Sequence, residues 1–566
     1  MRHDAELTLR ALLTGILLGA LLTPSNVYSG LKIGWTFNMS IIALLIGFGF
    51  WRGLMRRTDW GLRESNISQT TASAAAAIIS GGLVAPIPAY TLITGRELAP
   101  LPLIAWVGAV SLMGVWIGWV LRGPLIVRAR LAFPAGLATL ETMRDVFAEG
   151  HEAGKRLAVL AGAALVAGLG KGWDVFVAAL PRWSPSPAAS NLTLGIEPSF
   201  LLLGFGAIIG IRAGISLALG GLLAWGVAAP MLINAGAAEI VPGGGSLFGE
   251  LVEWLVWPGV GLMVGSALTS LGLTLLRARP EAGALQDAPG AVRGRVVLPA
   301  VLGLVAGAVL VVAAQRILFG VPWVAALLSI PVALVLAVVA ARVVGETAIP
   351  PIGAMGKLAQ LGVGVAAPGQ PVANLMPANA AGGSAGQAAD LLNDLKVGHG
   401  LGATVHKQIV AQVFGILVGS VVGSVVYLAL VPDPQTMLLT AEWPAPAVAT
   451  WKAVAEAMAT GLGAIPVGAR WAALVGVILG VALALLESGP WPSLARWMPS
   501  GAALGLAFVI PASIAFVMAL GAAIAWLIAR LRRGLGTRFT VAAASGLVAG
   551  ESIMGVIGAL WRLAAN

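Results

Sequence analysis

Runs of about 20 apolar residues recur from one end of the chain to the other, among them Leu101 to Leu121, Leu157 to Leu180, Trp254 to Leu276 and Gln408 to Leu430. A helix needs roughly that length to cross a hydrocarbon core about 30 Å thick. Between the runs no polar block exceeds about 30 residues, well under the roughly 50 of the smallest independent domains. Inside lipid each backbone donor and acceptor must be satisfied within the segment, which a helix does and an isolated strand does not. The reading is therefore all-α: a polytopic, multi-pass membrane protein with no soluble domain. The content of 10% charged residues agrees, against about 25% in soluble domains.

A net charge of +10 would suit a nucleic-acid partner if it were patched on one surface. Instead the basic residues sit in short connections, such as Arg52, Arg56, Arg57 and Arg63, or Arg122, Arg128 and Arg130. That is where cytoplasmic loops and anionic lipid headgroups require them, so anionic lipids are expected partners and nucleic acid is not. The absence of cysteine excludes disulfides, Cys-ligated zinc and thiol chemistry, and four His leave little for a transition-metal site. No cofactor or protein-bound metal is expected. The first run, Leu7 to Thr23, ends in PSNVYSG without a small-x-small cleavage site and reads as a retained span.

Several runs carry internal breaks. The first is interrupted at Pro24 to Lys32; the next, after ESNISQTTASA, stops at Gly81, Gly82, Pro86 and Pro88. Phe200 to Ala229 is overlong and cut by Arg212, and Gly501 to Arg530 is broken at Pro511. The most anomalous stretch is Asn374 to Lys407, which concentrates Gly, Asn, Asp and His between hydrocarbon blocks. It reads as a discontinuous helix from about Pro377 to Leu391 lining a substrate path, since irregular polar backbone at membrane depth occurs only where protein or a cavity covers it.

The chain also reads as two repeated halves with discontinuous helices: residues 1–276, a cytoplasmic linker at 277–296, and residues 297–566. At an offset of 301, Leu203, Gly204, Leu219, Gly220, Ala224 and Trp225 match Leu504, Gly505, Leu520, Gly521, Ala525 and Trp526; at 285, Gly261, Leu262 and Gly265 match Gly546, Leu547 and Gly550. Such duplication is the architecture of secondary transporters. Parallel and inverted repeats both remain open at this level.

Five motifs carry a resemblance: GLKIG at Gly30 to Gly34, ESNISQTTASA at Glu64 to Ala74, GETAIPPIGAMGKLAQ at Gly345 to Gln360, AGQAADLLNDLKVGHGLGA at Ala385 to Ala403, and SGLVAGE at Ser545 to Glu551. In this order, over nearly the whole chain, they resemble the oligopeptide transporter family, bacterial branch. The resemblance implies about 14 to 16 transmembrane helices in a bacterial inner membrane, a homodimer and proton-coupled symport. The implied substrate is a small peptide or, as in the related yellow-stripe-like branch, a metal chelated by a peptide-like amino acid. The NPG and KIPPR motifs of the fungal and plant peptide branch are missing; only the IPP core at Ile349 to Pro351 stands, which argues against a long peptide.

Candidate residues follow from lone polar groups in apolar surroundings. Glu551, alone in the last span, suits a proton carrier or a structural hydrogen bond. Asn379, Gln387 and Asp390 share the anomalous stretch, with Asp394 one turn beyond Asp390; there Asp390 is a candidate for substrate and for proton, and solvated capping is the alternative, above all for Asp394 and Lys396. Glu64, Asn66 and Gln69 open a small-residue helix, where exposed amides favour a substrate carboxylate or simple capping. Glu346 could meet a substrate ammonium or pair with Lys357; Asn26, Tyr28 and Lys32, at the first break, are candidates for reaching the substrate cavity, with snorkelling the alternative for Lys32.

Two other classes compete with this reading. GGSAG at Gly382 to Gly386 fits the GxSxG pattern of a serine hydrolase, but no strand-to-helix turn surrounds it, and neither a P-loop nor HExxH occurs. The chain is therefore not expected to be an enzyme. A passive channel or facilitator for small polar solutes is the alternative to the symporter, since lone carboxylates and broken helices also suit pores.

Overall fold

The computed structural model describes residues 5–34, 38–148, 150–236, 246–277, 297–347, 352–364, 368–461, 467–487, 489, 495, 498–531 and 533–565. Among the described residues the regular structure is helical, with one antiparallel bridge between Trp183 and Ile196. Twelve of these helices are long and apolar enough to cross a membrane, and Ser40–Leu54 and Phe200–Ile209 are shorter apolar helices. Large apolar side chains stand bare on them, Leu165 at 63%, Ile317 at 78% and Trp471 at 64% exposed, which a hydrocarbon solvent permits and water penalises. The chain is thus an all-α, multi-pass membrane protein. The linker beyond Arg277, the Ile349–Pro351 core beyond its helix and the Glu346 side chain lie outside the described residues.

The helices form two compact units, each drawing one long segment from either half of the sequence. The first comprises Met1–Val27, Thr36–Leu157 and Thr274–Leu428; the second comprises Tyr28–Trp35, Ala158–Leu273 and Ala429–Asn566.

The first unit is built around the helix Pro371–Leu401, nearly all of whose residues are buried. The expected break in it is not there. One continuous helix runs through Pro377 and ends in a turn at Gly402, with φ of 63°. Leu9–Ile33 likewise runs unbroken through Pro24, with the Thr23 hydroxyl donating to the Gly19 carbonyl at 2.7 Å. A proline removes one backbone hydrogen bond; unwinding at membrane depth would strand several more, so the helix persists. Glycines in the Pro371–Leu401 helix serve close packing: a Cβ at Gly382 would crowd Gly356, and one at Gly383 would strike the Ser80 carbonyl. Ser384, within GGSAG, sits mid-helix and donates to the Val110 carbonyl at 2.8 Å, far from the geometry of a nucleophile elbow. The break at Gly82 is present, since Ala77–Gly81 tightens into a 3-10 turn and Gly82 takes φ of 112° before Pro86–Thr94.

In the second unit the 301-residue offset is visible in three dimensions. Phe200–Ile209 stops at Gly210 and resumes as Ile211–Gly221; Gly501–Leu506 gives way to a turn, and Ala512–Leu531 resumes after Pro511. The first break falls at Gly210, two residues before Arg212, because Gly alone takes its φ of 83° without strain. Both short helices have a serine N-cap at equivalent positions: Ser199 accepts from the Leu202 amide at 3.2 Å and Ser500 from the Ala503 amide at 3.4 Å. The packing is reciprocal. Gly521 lies against Leu203 and Gly220 against Leu504; Gly214 lies against Ala522 and Gly221 against Ala515. The 285-residue offset closes the pattern, because Gly204 meets Ala544, Leu547 and Val548, and Gly505 meets Gly259, Leu262 and Met263. As residue numbers rise from Gly214 to Gly221 the facing residues fall from Ala522 to Ala515, so the matched helices run antiparallel. This is an inverted repeat, the arrangement that secondary transporters use.

Candidate functional site

Polar residues of the first unit gather along the Pro371–Leu401 helix, where partner helices hold most of them. Asn379 accepts from the Trp106 indole at 3.0 Å and donates to the Ser80 carbonyl at 3.3 Å; Gln387 accepts from the Ser80 hydroxyl at 3.0 Å. Both are buried, and the Gln387 amide nitrogen has no acceptor. Asp390 is half-buried. Asp394, one turn on, is only 1% exposed, so solvated capping does not describe it; Lys396 is half-buried and donates to the Leu131 carbonyl at 2.6 Å.

The Leu62–Ala76 helix faces this helix and is almost wholly buried. Glu64 accepts from Arg10 through Nε at 2.7 Å and Nη2 at 2.6 Å, and from the Thr8 hydroxyl at 2.5 Å, so both its oxygens are committed within the protein. Arg10 also bonds Asp59 at 2.8 Å, and Arg57 and Arg10 together hold the exposed Asp59 carboxyl down at about 2. Gln69 donates to Asn66 Oδ1 at 3.3 Å and to the Thr70 hydroxyl at 3.1 Å, which leaves Gln69 Oε1 and Asn66 Nδ2 buried without partners. Asn26 donates to the Ala76 carbonyl at 3.0 Å, where the α-helix tightens.

The second unit contains a cavity of about 100 Å³ with an adjoining one of about 280 Å³, Tyr28, Lys171, Glu442, Trp443 and Arg562 lining both. Four cations, Lys32, Lys171, Arg182 and Arg562, and four carboxylates, Asp174, Glu197, Glu442 and Glu551, surround the smaller one. Lys171 pairs with Asp174 at 2.7 Å and Arg182 with Glu197 at 3.4 Å. Lys32 donates to the Glu442 carbonyl at 2.5 Å and stands 5.2 Å over the Trp443 ring, a cation–π position. Tyr28 meets Trp443 edge-on at 5.4 Å. Among the described residues, neither the Glu442 carboxylate nor the Arg562 guanidinium has an ion-pair partner, and both side chains are exposed.

Glu551 forms part of that cavity wall. It is 6% exposed and accepts from the Ser199 hydroxyl at 2.8 Å and the Leu201 amide at 2.9 Å. Its carboxylate thus caps the start of Phe200–Ile209, where the helix dipole favours negative charge. By the 285-residue offset its counterpart is Ser266, which lies against Gly501 at the start of the other broken helix. One repeat therefore carries an acid where the other carries a hydroxyl.

The structure separates the sequence candidates by unit: Asn26, Glu64, Asn66, Gln69, Asn379, Gln387 and Asp390 in the first, Tyr28 and Glu551 in the second. Sequence reading missed Lys171, Asp174, Arg182, Glu197, Glu442, Trp443 and Arg562. The Lys171–Asp174 spacing within an apolar run was the available signal, because charges inside a span seldom lack a role.

Residues 6–562 match the family described as OPT oligopeptide transporter protein. The Saccharomyces cerevisiae protein named "Putative oligopeptide transporter YGL114W" is 23% identical over 98% of this chain and 96% of its own length. The Oryza sativa protein named "Probable metal-nicotianamine transporter YSL10" is 25% identical over 97% of this chain and 89% of its own. A Haemophilus influenzae protein named "Putative oligopeptide transporter" is 34% identical over 36% of this chain and 32% of its own. With its helices, its inverted repeat and a match running almost from end to end, the chain belongs to the OPT oligopeptide transporter family and is a transporter, not an enzyme.

Proposed function

We propose that the chain is a proton-coupled symporter of small peptides or peptide-like metal chelates in a bacterial inner membrane. The observation that carries the substrate class is the cavity of the second unit. Its wall offers cations and carboxylates in equal number, the complement of a ligand bearing both ammonium and carboxylate groups. Arg562 and Glu442, which form no ion pair among the described residues, are the groups we assign to the substrate carboxylate and ammonium; Tyr28, Trp443 and Lys32 line the same cavity. The names of the yeast and rice relatives, which speak of oligopeptides and metal-nicotianamine, fall in the same chemical class.

Coupling is assigned to Glu551. A buried carboxylate that lines a substrate cavity and caps a helix in only one of two repeats is suited to carry a proton in one state and an anion in the other. Asp390, half-buried on the Pro371–Leu401 helix, is the second candidate. Anionic lipids and a second copy of the chain are the further partners proposed. The test is uptake into proteoliposomes holding the purified protein, with di- and tripeptides and with metal chelates of amino-acid-like ligands. Accumulation above the outside concentration under an inward proton gradient, abolished by a protonophore, is the expected result. Downhill flux indifferent to the gradient would overturn the symport reading in favour of a facilitator.

A further inference from the structure

We infer that the substrate bears an aliphatic side chain and that the larger cavity of the second unit receives it; this rests on the assignment of Arg562 and Glu442 to the substrate's charged ends. The two cavities adjoin and share Tyr28, Lys171, Glu442, Trp443 and Arg562, so both assigned groups border both spaces. Beyond the shared residues the walls differ in kind. The smaller space is bordered by Lys32, Asp174, Arg182, Glu197 and Glu551, whereas the residues added around the larger one carry no ionisable group, among them Val175, Leu430, Pro432 and Met437.

The helix Arg533–Ala565 supplies part of the larger wall. Gly555, Gly558 and Arg562 are three and four residues apart and so fall on one face of that helix. A Cβ at Gly555 would come within 2.8 Å of the Tyr28 ring, and one at Gly558 within 2.7 Å of the Val175 side chain. Glycine at both places leaves bare backbone on the wall. Gly558 lies about 6 Å along the helix axis from Arg562. One residue of extended chain spans about 3.5 Å, so a substrate whose carboxylate meets Arg562 can reach this hollow with a side chain of its own.

Water beside Val175, Leu430 and Met437 finds few partners, and an apolar group that displaces poorly held water gains affinity. A charged side chain would lose its hydration there without a counter-ion, since Arg562 and Glu442 serve the substrate's ends and Lys171 is paired with Asp174. Each buried methylene is worth roughly fourfold in affinity. Leucine in place of alanine should therefore tighten binding at least tenfold.

Isothermal titration calorimetry of the full-length protein in detergent at pH 7 compares Ala-Ala with Ala-Leu, Leu-Ala, Ala-Asp and Asp-Ala. The tighter of the two leucine peptides should bind at least tenfold better than Ala-Ala, and neither aspartate peptide should bind better than Ala-Ala. Met437→Glu adds a carboxylate to the wall; it should weaken the favoured leucine peptide and strengthen its lysine analogue. Should that variant not fold, Gly558→Val narrows the hollow and should weaken the leucine peptide more than Ala-Ala. Arg562→Gln acts on the charged end and should weaken every peptide alike. Equal affinities for all five peptides, still lowered by Arg562→Gln, would overturn the side-chain inference and leave the substrate assignment standing. Affinities indifferent to Arg562→Gln, or no binding of any peptide, would overturn the assignment and the inference with it.

Discussion

Glu551 accepts a hydrogen bond from the Leu201 amide at 2.9 Å, across 350 residues of sequence, and so fastens the last helix to the start of a broken one. Substitution separates its structural and coupling roles. Glu551→Gln keeps a side-chain oxygen for the amide and loses the charge, so stability should fall by about 1 kcal/mol, the usual scale for an anion at a helix start. Accumulation driven by a proton gradient should drop to background while counterflow exchange persists. Unchanged accumulation would leave Glu551 a cap and nothing more.

Trp443 places its ring 5.2 Å from the Lys32 ammonium and edge-on to Tyr28. Trp443→Leu removes the aromatic face, an effect of roughly 1 kcal/mol at a partly desolvated site. The half-saturating substrate concentration should rise about fivefold, with Trp443→Phe intermediate. Saturation curves of initial uptake rate decide this, and equal curves for all three proteins would remove Trp443 from the substrate wall.

Much of the fold was legible because hydrocarbon imposes one secondary structure and because glycine and proline mark where it fails. Pro511 and the Gly81–Pro88 cluster mark real interruptions, whereas Pro24 and Pro377 are carried inside continuous helices. The difference lies in tertiary packing, which a local motif does not record. The repeat was visible as matched glycines; that it is inverted needed the reciprocal contacts of Gly220 and Gly521. For the site, composition exposed the polar stretch. It did not show that Asn379 is engaged by Trp106 and Ser80, or that Glu442 and Arg562, more than 100 residues apart, border one cavity. Lone charges near loops look alike in sequence whether solvent or a cavity receives them.

Gly550 and Gly265 occupy equivalent places in the two repeats, each set against the backbone of a neighbouring helix, at Ala164 and at Val477. An added methyl must displace that backbone, so Gly550→Ala and Gly265→Ala should each destabilise by about 1–3 kcal/mol. Gly162 has open space where its Cβ would stand, and Gly162→Ala should be neutral or stabilising by up to roughly 1 kcal/mol through helix propensity. Melting temperatures of the three variants in one detergent supply the comparison. Equal shifts for all three would contradict the packing argument.

Glu6 ties three separate segments of the first unit. It accepts from the Thr404 amide at 3.2 Å, from Lys407 at 3.3 Å and from Arg63 at 3.1 Å. Burial pushes its carboxyl upward, but the hydrogen bonds from Thr404 and Lys407 and the charge of Lys407 outweigh it, and the net shift is downward. A carboxyl whose pKa is lower in the folded state stabilises above its unfolded value, near 4.3, and that contribution disappears as pH falls through the folded value. Glu6→Gln should therefore lower the melting temperature at pH 7, by the equivalent of about 1 kcal/mol for charge-assisted bonds of this kind. Near pH 3 the gap between variant and wild type should narrow. Lys407→Met should produce the same pH dependence, because it removes the other end of the ion pair. A wild-type advantage that stays constant from pH 7 to pH 3 would show that Glu6 stabilises by packing and not by charge.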